Sequence, residues 1–94
     1  MGEVVLSGRL VCRSGAEAEL VTAYLPRHVE LTRAEDGCLS FEVTATGDPL
    51  IWLVRERFTD AAAFRAHQAR VNASEWGRAT AGIERDYTVE GLDD

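Results

Sequence analysis

The spacing of apolar residues changes several times along the chain, and the order of these changes constrains the fold more than any other feature. Alternating apolar and polar residues, or short runs rich in β-branched residues, predict strands over 4–13, 38–46, 50–58 and 83–90. A spacing of three and four residues predicts helices over 16–35 and 61–71. Ser74 is expected to cap a further short helix through Trp76 that stops at Gly82. The predicted order is therefore β-α-β-β-α-β.

This order matches the split βαβ, or ferredoxin-like, arrangement. It is an α+β fold in which two helices cover one face of a four-stranded antiparallel sheet. Residues 1–94 are expected to form a single domain, because a chain of this length has no room for separate cofactor and substrate domains. The third strand should lie between the first two, so Cys12 and Cys38 fall on non-adjacent strands and are not expected to form a disulfide.

The sheet face away from the helices is expected to be buried by a second molecule. Strands one and three carry apolar residues on both faces, including Val5, Val11, Ile51 and Leu53. A homodimer that packs sheet against sheet is the simplest partner. The arginines Arg9, Arg55 and Arg57 should lie on this face, in ion pairs with Glu42 at the interface or its rim.

Composition narrows the function. The formal net charge of -6 is the wrong sign for a protein that neutralises phosphates or anionic lipid, so neither nucleic acid nor a membrane is an expected partner. The N-terminal residues show neither a signal peptide nor a spanning segment, so a cytoplasmic location is expected. All ten basic residues are Arg. Without Lys, a pyridoxal phosphate Schiff base and a Walker phosphate loop are excluded.

Three ionisable side chains are predicted to converge between the sheet and the helices. Glu56 shares a strand face with Val54 and Phe58, and a carboxylate there is expensive unless it is paired. His28 and His67 lie on the apolar stripes of the two long helices, and Gly8 is expected to leave room in the same gap. Polar groups gathered in an apolar gap are typical of small-molecule sites.

Two other interpretations fit these three side chains. They are compatible with a hydrogen-bonded polar cluster in the core of a protein without catalytic activity. Two histidines and one carboxylate are also the ligands of the non-haem iron facial triad. Because the three residues come from separate elements without a ligand dipeptide, no metal is expected.

Three segments resemble the antibiotic biosynthesis monooxygenase family: TRAEDGCLSF at 32–41, VRERFTD at 54–60 and AFRAH at 63–67. The resemblance implies a dimeric α/β barrel of ferredoxin-like protomers with a pocket between sheet and helices. It also implies oxygenation of electron-rich aromatics, such as anthrones and hydroquinones, without a metal or flavin cofactor. Haem-degrading relatives carry an Asn and a Trp where this chain has Gly8 and His67, so haem degradation is not expected.

The leading hypothesis is a cofactor-independent monooxygenase that acts on a small aromatic substrate and molecular oxygen. The expected base is His67, or His28 held by Glu56, because imidazole titrates near neutral pH and a carboxylate fixes its tautomer. The residues expected to contact the substrate are aromatic: Trp76, Tyr24, Trp52 and Phe64. The alternative is a non-catalytic dimeric domain that binds a small molecule or acts as an accessory.

Overall fold

The computed structural model describes residues 2–92, which form four strands and three helices. The strands are β1 (Val4–Val11), β2 (Cys38–Ala45), β3 (Ile51–Phe58) and β4 (Glu84–Glu90). The helices are α1 (Gly15–Arg33), α2 (Ala61–Asn72) and α3 (Glu75–Ala79). The sequence predicts every one of these elements, and the α+β ferredoxin-like architecture is confirmed.

The sheet has the order β2-β3-β1-β4, and every neighbouring pair is antiparallel. β3 therefore lies between β1 and β2, as predicted, and Cys12 and Cys38 are both free thiols. Within residues 2–92, no helix is long and apolar enough to cross a membrane.

The helices bury one face of the sheet. The even positions of β1 and its continuation are all inside: Val4, Leu6, Leu10 and Cys12 are buried. They pack with Val54 and Phe58 of β3, Val21 of α1 and Phe64 of α2. Removing these apolar side chains from water is the main stabilising contribution to such a core.

Local sequence explains where α1 begins. The Ser14 hydroxyl accepts a hydrogen bond from the Glu17 backbone N–H, and the Glu17 carboxylate accepts one from the Arg13 N–H at 2.7 Å. These reciprocal bonds satisfy one donor of the first helical turn and the N–H of the residue before the cap. α1 then runs to Arg33 and buries Val21, His28 and Thr32.

Gly8 has a different role from the predicted one. Its φ is +155°, and a Cβ atom at this position would lie 2.1 Å from the carbonyl oxygen of Asp86 and 2.8 Å from Cα of Tyr87. Gly8 therefore permits the close approach of β4 to β1, and it does not line the cavity between sheet and helices.

The open sheet face carries ion pairs, but Glu42 is not the partner of Arg9 or Arg57, so that prediction is wrong. Arg9 pairs with Asp86, which lies directly opposite on β4, and Arg57 pairs with Glu3, each at 2.8 Å. Glu42 lies 3.7 Å from Arg33. Antiparallel register explains the pair of Arg9 with Asp86, whereas Glu3 lies two residues before Val5, the residue opposite Arg57.

Candidate active site

His67 on α2 is held between two carboxylates. Its Nδ1 atom lies 2.9 Å from Oε1 of Glu35, and its Nε2 atom lies 3.7 Å from Oε1 of Glu56. An ionised carboxylate only accepts hydrogen bonds, so the contact with Glu35 places the imidazole proton on Nδ1. Nε2 is then the basic nitrogen, and it faces Glu56 without being bonded to it.

Arg70 holds Glu35 in place. Its Nε atom donates to Oε2 of Glu35 at 2.5 Å, and its Nη2 atom donates to the Thr32 hydroxyl at 2.9 Å. Arg70 follows His67 by three residues on α2, so both side chains lie on one side of the helix and meet the same carboxylate. Arg70, Glu35 and His67 form a continuous chain of charge-assisted hydrogen bonds.

The turn before β2 brings Glu35 to α2. A Cβ atom at Gly37 would lie only 2.3 Å from Cβ of Ala63, so the turn packs against the first turn of α2 because residue 37 is glycine. Asp60 caps that helix by accepting from the Ala63 N–H at 2.8 Å. These two local features fix the distance between Glu35 and His67.

Burial shifts the pKa values of the facing groups. Burial raises the pKa of Glu56 to about 7, and the charge of Glu35 adds to this effect. Burial also lowers the pKa of His67, while Glu35 acts in the opposite direction. Near neutral pH the site therefore combines a neutral imidazole with a carboxyl group that is close to its titration midpoint.

His28 belongs to an aromatic stack and not to the carboxylates. Its ring lies parallel to that of Trp76, with 4.5 Å between centroids and 4° between planes, and it meets the edge of Phe41. Burial is the main reason that its pKa falls to about 3, so the ring is neutral at working pH. Among the described residues Nδ1 of His28 has no hydrogen-bond partner. The structure thus gives no support to the expectation that Glu56 orients His28.

Trp76 and His28 separate two spaces. The inner cavity, of about 60 Å³, lies between sheet and helices and is lined by Glu56, His67 and Tyr87 among others. An outer groove of about 270 Å³ lies on the other side, and both rings line it too. The inner cavity has room for water molecules, but it is smaller than the cavities of about 150 Å³ that admit a benzene ring.

The other residues predicted to contact substrate are spread over the fold. Tyr24 lines the outer groove. Phe64 is buried against Phe58 in an edge-to-face contact of 5.7 Å, and Trp52 pairs with Leu10 in the sheet. Neither Phe64 nor Trp52 lines the inner cavity or the outer groove.

Several residues of the cavity were missed by sequence reasoning, most clearly Tyr87 and Arg85 of β4. Burial raises the pKa of Tyr87 to about 12, so its phenol is a neutral donor at the cavity wall. Arg85 is held by the carbonyl and hydroxyl oxygens of Thr80 and by the carbonyl of Ile83. The sequence pattern could have identified both residues, because they share a strand face with buried Ile83.

The arrangement does not resemble a metal centre. Within residues 2–92, no group of three His, Cys, Asp or Glu side chains is placed to hold a metal ion. His28, His67 and Glu56 do approach one cavity, but His28 is engaged with Trp76 through its ring face. The facial-triad interpretation therefore lacks geometric support.

Several solved structures have a similar fold. Rv0793 from Mycobacterium tuberculosis is 23% identical, with a TM-score of 0.74 and coverage of 99% of this chain and 97% of that chain. MupZ from Pseudomonas fluorescens is 23% identical, with a TM-score of 0.74 and coverage of 97% and 70% respectively. A mutant of SnoaB, a cofactor-independent oxygenase from Streptomyces nogalater, is 16% identical, with a TM-score of 0.76 and coverage of 100% and 96%.

At these identities the similarity establishes the fold alone. Among curated proteins, none matches the chain. The family model described as antibiotic biosynthesis monooxygenase matches residues 4–79, which include β1 through α3 and every residue of the Arg70–Glu35–His67 chain. The chain therefore belongs to the antibiotic biosynthesis monooxygenase family.

Proposed function

We propose that the protein is a cofactor-independent monooxygenase and that His67 is its base. The proposed substrate is an electron-rich aromatic such as a hydroquinone, an anthrone or a related polyketide. One observation carries the proposal: Nδ1 of His67 is occupied by Glu35, while Nε2 faces a cavity beside Glu56. Family membership and the fold similarity to SnoaB, described as a cofactor-independent oxygenase, support the same reaction class.

His67 would begin the reaction by taking a proton. For an anthrone, Nε2 removes one methylene proton, and Glu35 stabilises the imidazolium that forms. The carbanion gives one electron to molecular oxygen, and the resulting radical pair combines to a peroxide. The peroxide is protonated and loses water, which leaves a carbonyl group. The sum is CH₂ + O₂ → C=O + H₂O, so no external reductant is needed.

Glu56 and Tyr87 would interact with oxygen atoms of the peroxide and of the substrate. The raised pKa of Glu56 keeps a proton available near neutral pH, and that proton can pass to the peroxide. The neutral phenol of Tyr87 can donate a hydrogen bond to a phenolate or enolate oxygen of the substrate. The surrounding apolar walls exclude water and so protect the radical pair.

Substrate entry requires Trp76 to move. The inner cavity is too small for an aromatic ring while Trp76 and His28 remain stacked, whereas the outer groove is large enough. Displacement of the Trp76 side chain would join the two spaces. Tyr24 and Trp76 would then contact the ring of the substrate.

A second candidate is a non-catalytic domain that binds a small molecule or acts as an accessory. The small volume of the inner cavity favours this function, because a cavity that admits no aromatic ring leaves His67 as a core residue hydrogen-bonded to Glu35. In that case the ligand occupies the outer groove and no proton transfer follows.

Oxygen consumption by the purified protein separates the two functions. The panel consists of hydroquinones, anthrones and catechols, and the test variant is His67→Phe, which suits the aromatic neighbours Phe58 and Phe41. Loss of the base should reduce kcat by about 100-fold or more. Asn72→Ala, at the exposed end of the same helix, is the control. Full oxygen uptake by His67→Phe would contradict the proposed base, and no uptake with any compound would favour the binding function.

We also propose that the open sheet face forms a homodimer interface. Leu53, with half of its surface exposed, lies beside Arg9 and Arg55 in a broad shallow depression on this face. Leu53 continues into the partly exposed Val11 and Ile51 on the same face, and a contiguous apolar patch of this kind is typical of a surface that is covered in the assembled protein. The cytoplasmic location inferred from the sequence stays a prediction.

A further inference from the structure

The outer groove concentrates positive charge in an acidic protein. Arg27, Arg70 and Arg78 line it, against one acidic residue, Glu75. These are three of the ten basic residues of a chain whose net charge is -6. Ion pairs with Glu30 and Glu35 offset the charges of Arg27 and Arg70, so the attraction for an anion rests mainly on Arg78 and on the donors of Arg70.

Arg70 has an unused donor. Its Nε and Nη2 atoms are occupied by Glu35 and Thr32, but Nη1 is buried and has no hydrogen-bond partner within residues 2–92. A buried donor without an acceptor is unfavourable, and charged donors are more so. A carboxylate suits this donor, because the planar guanidinium presents its N–H groups to planar oxygen acceptors.

The other two arginines already have partners for some of their N–H groups. Arg27 pairs with Glu30 at 2.7 Å, and Nη1 of Arg78 donates to the Ala73 carbonyl at 3.0 Å. They therefore contribute charge at the rim, while Arg70 offers the specific contact once its buried Nη1 atom turns towards the groove. Tyr24, Leu31 and Trp76 supply apolar surface for a ring.

We propose that the outer groove binds the carboxylate of an aromatic acid, with the carboxylate on Arg70 and the ring against Tyr24 and Trp76. The inference rests on the proposed function in taking this ligand as the substrate of His67. Arg70 and His67 are one helical turn apart and share Glu35, so an acid held by Arg70 lies at the entrance to the base. The substrate class is then an electron-rich aromatic that carries a carboxylate.

The binding of two small aromatic compounds, benzoate and benzamide, tests the proposal without turnover. Benzoate and benzamide have nearly the same shape, and only benzoate is an anion. In calorimetric titrations of the wild-type protein, benzoate should bind about tenfold or more tightly than benzamide. In NMR spectra, benzoate should shift the indole signal of Trp76 more than that of Trp52. Equal affinities, absence of saturable benzoate binding or a shift confined to Trp52 would overturn the proposal.

Two variants locate the carboxylate. Arg70→Lys keeps the positive charge but removes the planar set of N–H donors, so benzoate should bind about tenfold more weakly. Arg78→Met removes a rim charge and should weaken benzoate by about two- to fivefold. Arg13→Met, an exposed arginine paired with Glu17 away from the groove, is the control and should bind benzoate as the wild type does. If Arg70→Lys does not fold, the benzoate affinity of Arg78→Met tests the proposal instead. Folded variants that bind benzoate as tightly as the wild type would overturn the proposed site.

Failure of this inference differs from failure of the proposed function. Oxygen uptake with a neutral hydroquinone depends on His67 and not on a carboxylate contact. Uptake that persists while benzoate does not bind removes the aromatic-acid site alone. If benzoate binds on Arg70 but no carboxylated hydroquinone supports oxygen uptake, the binding site stands and the proposed oxygenase activity is contradicted.

Discussion

The Nδ1 atom of His67 lies 2.9 Å from Oε1 of Glu35, although the two residues are 32 positions apart in the chain. The carboxylate comes from the turn between α1 and β2, and the imidazole comes from the middle of α2. Glu35 opposes the effect of burial on the pKa of His67 and fixes the proton on Nδ1. Glu35 is therefore a positioning residue for the nitrogen that faces the cavity.

Glu35→Gln should lower the pKa of His67 further below its ordinary value. The amide keeps the size of the side chain but removes the negative charge that favours the imidazolium. An NMR titration of the imidazole signals measures this change directly. With an active substrate, kcat should fall by about tenfold or more while KM changes little, because the charge matters once the proton has been transferred.

The matched control for this substitution is Glu30→Gln. Glu30 is an exposed acid on α1 that pairs with Arg27, so its loss should leave the His67 titration unchanged. An unchanged His67 titration in Glu35→Gln would show that the carboxylate has no electrostatic effect on the ring.

Glu56→Gln should stabilise the protein at pH 8 and have little effect at pH 4. Burial raises the pKa of Glu56 from 4.5 to about 7, so the folded protein keeps a proton that the unfolded chain loses in this interval. The free energy of unfolding therefore falls as pH rises from about 4.5 to 7 and stays low above it. Glutamine mimics the protonated form, and the expected gain at pH 8 is about 2–3 kcal/mol.

Urea denaturation at the two pH values measures the effect of Glu56→Gln. The expected gain at pH 8 corresponds to an increase of roughly 10–20 °C in Tm for a domain of this size. An equal difference between variant and wild type at pH 4 and pH 8 would mean that Glu56 holds no extra proton in the folded state.

The sequence predicts the fold better than the site, for a physical reason. Alternation along 4–13 identifies the buried side chains of β1, because the direction of a side chain in a strand follows from its position. The same rule places Glu56 inside. His67 and His28 follow in the same way from helical spacing, and both are buried.

The partners within the site do not follow from these rules. Glu35 lies in a turn, where no periodicity tells which way a side chain points. The place of Arg70 beside His67 could have been predicted, because Arg70 follows His67 by three residues on one helix. The stack of His28 on Trp76 depends on how α3 packs against α1, which the order of elements does not determine.

Gly8→Ala should destabilise the protein severely, by about 3 kcal/mol or more, because the new Cβ atom meets backbone and not a movable side chain. It would lie 2.1 Å from the Asp86 carbonyl oxygen, at a φ of +155° that favours glycine. Thermal unfolding followed by circular dichroism measures the loss. Gly47→Ala is the control, since nothing lies within 4 Å of a Cβ atom at Gly47. A wild-type Tm in Gly8→Ala would mean that β4 does not approach β1 this closely.

Leu53→Glu should convert the proposed dimer to a monomer. Leu53 is 50% exposed on the open sheet face, and a carboxylate there would have to leave water when two such faces meet, a cost that a pair with the neighbouring Arg9 offsets only in part. Leu20→Glu is the matched control, because Leu20 is 38% exposed on α1, away from that face. Sedimentation velocity at several protein concentrations gives the mass of each species. We expect dimers for the wild type and Leu20→Glu, and monomers for Leu53→Glu. A Leu53→Glu protein that remains dimeric would place the interface elsewhere, and a monomeric wild type would remove the proposed dimer.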